Sequence, residues 1–183
     1  MHSSVYVFIP ATGDLESEVA TALAPFDEEN AVAGYKVYLT PQEIEAMAKH
    51  FHVKPDELTN LSRQMERWRS APGGVDNRGL FAISHTNPHG RWDWYEFGGR
   101  WDNVIPNNVV VAQSLLDRAD LAAILPASFV DRNGLWHELE TYVASGWPTG
   151  HFTTKPESEW LGEFRASLKA APDSRVVCVD IHY

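Results

Sequence analysis

VYVFIP (residues 5–10) and RVVCVDIHY (175–183) decide the fold. The first run is β-branched and aromatic with no polar alternation, the pattern of a strand covered on both faces. Pro10 and Gly13 end it. The second run has similar apolar content and also reads as a strand. Apolar strands need shared cover, so the two are expected to lie side by side in one sheet. Each has an amphipathic helix beside it. Asp14 caps a helix from Leu15 to about Pro25, with Leu15, Val19, Leu23 and Phe26 recurring every three or four residues. Thr154 and Glu157 form a possible capping box for a helix through Lys169, whose stripe is Trp160, Leu161, Phe164 and Leu168. Strand, helix, strands, helix, strand implies an α+β fold: an antiparallel or mixed sheet with packed helices, as in a ferredoxin-like or related sandwich with a central insertion.

Between these ends, YKVYL (35–39) alternates as a short strand, and TPQE (40–43) starts a helix with Thr40 as cap, Pro41 at the first position and Glu43 closing the box. A second helix is expected from Pro55 to Arg69 with Leu58, Leu61, Met65 and Trp68 as its stripe, then a loop over SAPGGVDN (70–77) and a strand over GLFAISH (79–85). Residues 109–125 read as strand and then helix. SFVDRNGLWHEL (128–139) carries a hairpin signal, with positive φ expected at Asn133-Gly134. The whole chain, 1–183, is expected to be one domain, with 87–147 as an aromatic-rich and hairpin insertion.

The helical pair at 40–69 has the rhythm of a DNA-reading helix-turn-helix, but its second helix opens Pro55-Asp56-Glu57, which presents carboxylates to phosphate. Fifteen Lys+Arg against twenty-five Asp+Glu give a net charge of −10, which repels nucleic acid and anionic lipid. Direct nucleic-acid binding is therefore not expected. In a mobility-shift assay at about 0.15 M salt, sub-micromolar protein should leave duplex DNA unretarded. Retention would overturn this reading. The single Cys178 excludes an internal disulfide, no apolar run approaches the length of a membrane span, and no basic and then apolar leader is visible, so a cytoplasmic location is the expectation.

NPHGRWDWYEFGGRW (87–101) packs five Trp, Tyr and Phe rings, a Gly-Gly pair and two arginines into one segment. If extended, it sends Trp92, Trp94 and Glu96 to one face and Asp93, Tyr95 and Phe97 to the other. Gly98-Gly99 permits close approach, Arg100 can pair with a phosphate or carboxylate, and Trp94 or Trp101 can stack on a planar ring. A second reading stands beside this one: Arg100 pairs with Asp93 or Asp102, and the rings are core. No longer phosphate-loop motif occurs.

The N-terminal strand, N-P-x-G-x-W-D-W-Y-x-x-G-G-R-W, the D-R-N-G-L-W-H-E hairpin and the terminal V-V-x-V-D-x-H strand together resemble a family of actinobacterial and phage proteins with no established activity. The resemblance covers most of the chain and implies no catalytic role. It implies that residues 87–101 and Trp136-His137-Glu138 belong to a signature, in a phage- or defence-related setting.

Cys178, Asp180 and His182 share one strand face, a thiol, carboxylate and imidazole set that zinc or nucleophilic chemistry uses. His2, His85 or His137 would have to complete it. A buried small hydrophobe is the competing reading of Cys178. The function expected is recognition of a nucleotide-like or acidic ligand, or of a protein partner, through Trp92, Asp93, Trp94, Tyr95, Gly98, Gly99, Arg100 and Trp101, with His85 and His137 nearby. The alternatives are an enzyme acting on a phosphorylated small molecule, with His85 or His137 as base, and an acidic inhibitor of a host nucleic-acid-binding protein. No cofactor is singled out.

Overall fold

The computed structural model describes residues 1–69, 72–144 and 150–183. Residues 70–71 of the expected loop and 145–147 of the expected insertion lie outside the described residues. In chain order, β1 (His2–Ile9) and α1 (Leu15–Leu23) precede β2 (Tyr35–Tyr38), α2 (Pro41–Phe51), α3 (Leu58–Arg69), β3 (Gly73–Asp76) and β4 (Gly79–Ser84). Then come β5 (Trp94–Phe97), β6 (Val109–Val111), α4 (Ala112–Leu116), β7 (Ser128–Val130), β8 (Trp136–Glu138), β9 (Glu140–Ala144), β10 (Gly150–Thr154), α5 (Glu157–Ala170) and β11 (Arg175–His182). The fold is α+β. No described helix is long and apolar enough to cross a membrane.

Two compact units emerge. The first comprises Met1–Asn30, Asn87–Thr141 and Thr153–Tyr183; the second comprises Ala31–Thr86 and Tyr142–Phe152. In the first, a mixed sheet runs β5-β11-β1-β7-β8, with β6 also pairing β11. β1 and β11 are antiparallel neighbours from His2↔His182 to Ile9↔Arg175, as their apolar content requires. Alternation along them supplies two faces. Tyr6, Phe8, Phe129, Val176 and Cys178 pack with Trp160, Phe164 and Leu168 of α5. Val5, Val7, Ile9, Val177, Val179 and Ile181 pack with Val19 and Leu23 of α1.

The sheet is not ferredoxin-like. There the first strand and its successor across the helix form a split unit, with another strand between them. In this chain β1 and β7 pair directly and in parallel, with Val5↔Ser128 through Val7↔Val130. The hairpin that follows β7 then lies outside it. Segment 87–147 contributes β5, β6, β7 and β8 to this sheet.

Local chemistry explains several boundaries. Asp14 accepts the Ser17 N–H at 2.9 Å and caps α1, and this bond holds its carboxyl below the usual range. At α5 the cap is Pro156, with no side-chain bond, because Thr154 remains in β10 and donates to Glu140 at 3.2 Å. The expected box at Thr154 and Glu157 is therefore not formed. In the β7–β8 hairpin, positive φ falls on Gly134 but not on Asn133. Gly134 N–H donates to the Asp131 carbonyl at 3.0 Å and Asp131 N–H to the Leu135 carbonyl at 2.9 Å, the pattern of a type I turn followed by a left-handed bulge residue.

In the second unit, β2-β4-β3 form an antiparallel sheet, and Met47, Ala48, Leu61, Met65 and Leu80 form the core with α2 and α3. The Thr40–Glu43 capping box is present. Gly73–Asp76, read as loop, is strand β3 paired with β4. α3 starts at Leu58 instead of Pro55, because Lys54–Glu57 is a turn closed by Glu57 N–H on the Lys54 carbonyl at 3.0 Å.

Candidate functional site

Along β11 the face that carries Val176 and Cys178 turns polar at Asp180 and His182. Register places Ser4 and Glu96 opposite Asp180, and His2 and Trp94 opposite His182. Where the cover of α5 ends, one corner of the sheet thus gathers two histidines, two carboxylates and a tryptophan from β1, β11 and β5.

Asp180 is fully buried. An isolated buried carboxylate is costly, so each of its oxygens needs a donor. His2 Nδ1–H donates to Oδ1 at 3.0 Å and Arg100 N–H to Oδ2 at 3.1 Å. A carboxylate only accepts, so the Asp180 bond places the His2 proton at Nδ1. His182 repeats the arrangement: its Nδ1–H donates to Asp93 Oδ1 at 2.9 Å. Tyr183 N–H donates to the Met1 carbonyl, so Met1 and Tyr183 form the hydrogen-bonded pair and His2↔His182 the closer, non-hydrogen-bonded pair. Their rings meet edge-on with centroids 5.2 Å apart, and His2 meets the Trp94 ring at 6.3 Å.

Gly98 and Gly99 both have positive φ, at 68° and 52°. The space beside them is filled by this chain: a Cβ on Gly99 would lie 2.5 Å from Asp180 Cβ and 2.8 Å from Glu96 Oε1, and one on Gly98 would lie 2.4 Å from Asn108 Nδ2. The pair lets the chain close over Asp180 and aims the Arg100 N–H at it.

Arg100 itself is exposed. Asp93 is taken by His182, and Asp102 accepts from Asn103 at 2.7 Å and Asn108 at 2.6 Å. Among the described residues no carboxylate lies within ion-pair distance of the Arg100 guanidinium. Trp94 is 47% exposed.

The other candidates have local partners. Trp92, expected on the face of Trp94, packs with Tyr95 instead, with centroids 5.2 Å apart, and its Nε1–H donates to the Leu23 carbonyl at 3.1 Å. Regular strand begins only at Trp94, and the bend at Asp93 swaps the two side chains. Tyr95 and Phe97 face the α1 side, and Trp101 packs on the α5 side. His137 stacks on Phe129 at 4.4 Å and faces Asp131 at 3.3 Å. It sits on β8, the strand at the opposite edge from β5. His85 belongs to the second unit, where its Nδ1 faces the Val32 carbonyl at 3.2 Å. Cys178 is buried, and burial pushes its thiol up to about 12. Among the described residues no three His, Cys, Asp or Glu side chains are placed to hold a metal ion, so Cys178, Asp180 and His182 do not converge as a ligand set.

His2 and His182 form a juxtaposed pair that the aromatic motif alone does not reveal. Their signal is His-x-Ser at the start of one apolar strand and Asp-x-His at the end of the other. Compared with family models, curated proteins and solved structures, the chain matches none.

Proposed function

We propose that this corner of the first unit recognises a nucleotide-like, anionic small molecule. The carrying observation is the exposed Arg100 guanidinium, which has no carboxylate partner among the described residues while Asp93 and Asp102 are engaged elsewhere. An arginine held for structural pairing would have used one of them. Its backbone is anchored on buried Asp180, so the side chain projects from a fixed base. Trp94 offers an exposed planar face for stacking. A guanidinium and an indole are the complement of a phosphate and a base.

Arg100→Ala should abolish retention of the ligand and change stability by no more than about 0.5 kcal/mol, the usual range for an exposed side chain. Native mass spectrometry of protein from its natural host, repeated on the variant, reads both bound mass and folded charge state. A co-purifying mass lost from folded R100A supports recognition. A bound mass unchanged in folded R100A removes Arg100 from the site.

A further inference from the structure

We propose that His2 and His182 form a general acid–base pair that hydrolyses a small nucleoside phosphodiester held by Arg100 and Trp94. The inference rests on the recognition reading above and adds a reaction to it.

The geometry of the two imidazoles carries the argument. Both lie on one sheet face, directly opposite in register, with rings 5.2 Å apart. Each has its Nδ1 fixed by a carboxylate, the arrangement that sets tautomer and ring orientation in acid–base catalysis. Among the described residues neither Nε2 has a hydrogen-bond partner. Two adjacent histidines with anchored Nδ1 and unengaged Nε2 are more than sheet packing requires, and Asp180 is buried in order to hold one of them.

The nature of the substrate follows from what else is present. Among the described residues on this sheet face, neither the Ser4 hydroxyl nor the Cys178 thiol is placed to attack. Ser4 is buried and its Oγ accepts the Ala127 N–H at 3.0 Å, and Cys178 is a buried thiol held protonated. Water is then the attacking group. One unpaired guanidinium, on a corner that also carries Asp93 and Glu96 in a chain of net charge −10, favours a single negative charge over the two to four of a phosphomonoester or a triphosphate. A phosphodiester carries one. The same field disfavours long nucleic acids, which leaves small nucleoside diesters.

In the step, one neutral Nε2 takes a proton from water as its oxygen bonds to phosphorus. The P–O bond to the leaving group breaks, and the other imidazolium Nε2–H gives that oxygen its proton. The products are a phosphomonoester and an alcohol. The two rings end with exchanged protonation and reset through solvent. Asp93 and Asp180 act as positioning residues.

The test uses the full chain with adenosine 2′,3′-cyclic phosphate and bis(4-nitrophenyl) phosphate, with turnover followed by chromatography and absorbance and nucleotide binding followed by calorimetry. Wild type should turn over both. His182→Gln, at a side chain 42% exposed, should lose about 10²–10⁴-fold in kcat and still bind the nucleotide. Asp93→Asn should lower kcat with KM unchanged, a split that a purely structural role would not produce. Nucleotide binding without turnover, or full turnover in folded H182Q, would overturn the catalytic inference and leave recognition standing. Absence of nucleotide binding together with absence of turnover would overturn both.

Discussion

Replacing Trp160 by alanine is expected to lower the stability of the first unit by about 3–5 kcal/mol, the range for truncating a buried large aromatic. Trp160 is 1% exposed at the centre of the α5 face, 5.1 Å from the Phe129 ring. Its Nε1–H donates to the Pro126 carbonyl at 2.9 Å, so the variant leaves a cavity and an unpaired buried acceptor together. Trp94→Ala is the internal control, because that ring is half exposed and its removal should cost about 0.5 kcal/mol or less. Urea unfolding at unchanged slope reads the difference. Equal midpoints for the two variants would contradict the packing described for α5.

Gly99→Ala should cost about 2–5 kcal/mol, and for two separable reasons. A left-handed backbone penalises a side chain by about 1–2 kcal/mol, and a Cβ forced into occupied space adds about 1–3 kcal/mol. Gly99 has φ 52°, and its Cβ would meet the buried Asp180 at 2.5 Å. Gly134 isolates the first effect: its φ is 77°, but nothing lies within 4 Å of its Cβ position. Gly134→Ala should therefore show the backbone cost alone. Matching losses in urea titrations would mean that Gly99 does not seat on Asp180. The displaced turn in G99A should also weaken the Arg100 N–H bond to Asp180.

Much of the sheet was legible because its centre is apolar on both faces. VYVFIP and RVVCVDIHY leave no alternative to mutual cover, and Asp14, Thr40 and Glu43 are local signals with local consequences. Two of the misreadings share one cause, which is that strand pairing decides them. Gly73–Asp76 opens with two glycines and is a strand because β4 lies beside it. Trp92 changes face because the strand starts two residues later than alternation assumed. The same holds at the site. Arg100, Trp94 and His182 stood out in the sequence and His2 was one of three histidines that could join His182, whereas the choice of His2 comes from the register that sets the two opposite each other. Nothing within either strand specifies that register. The carboxylate for His182 comes from Asp93, in a third part of the chain.

The pairing of β1 with β11 also has a temporal consequence. Residue 2 finds its partner at residue 182, so the centre of the sheet has very high contact order. At about 5–20 residues per second, ribosomal synthesis separates the two strands by roughly 9–35 s. Until β7 is made, roughly 6–24 s after β1 at the same rate, Val5–Ile9 has neither β7 nor β11 to cover it, and β11 is still to come. Refolding in vitro should therefore be slow and sensitive to concentration, even though the finished sheet keeps this strand at its interior.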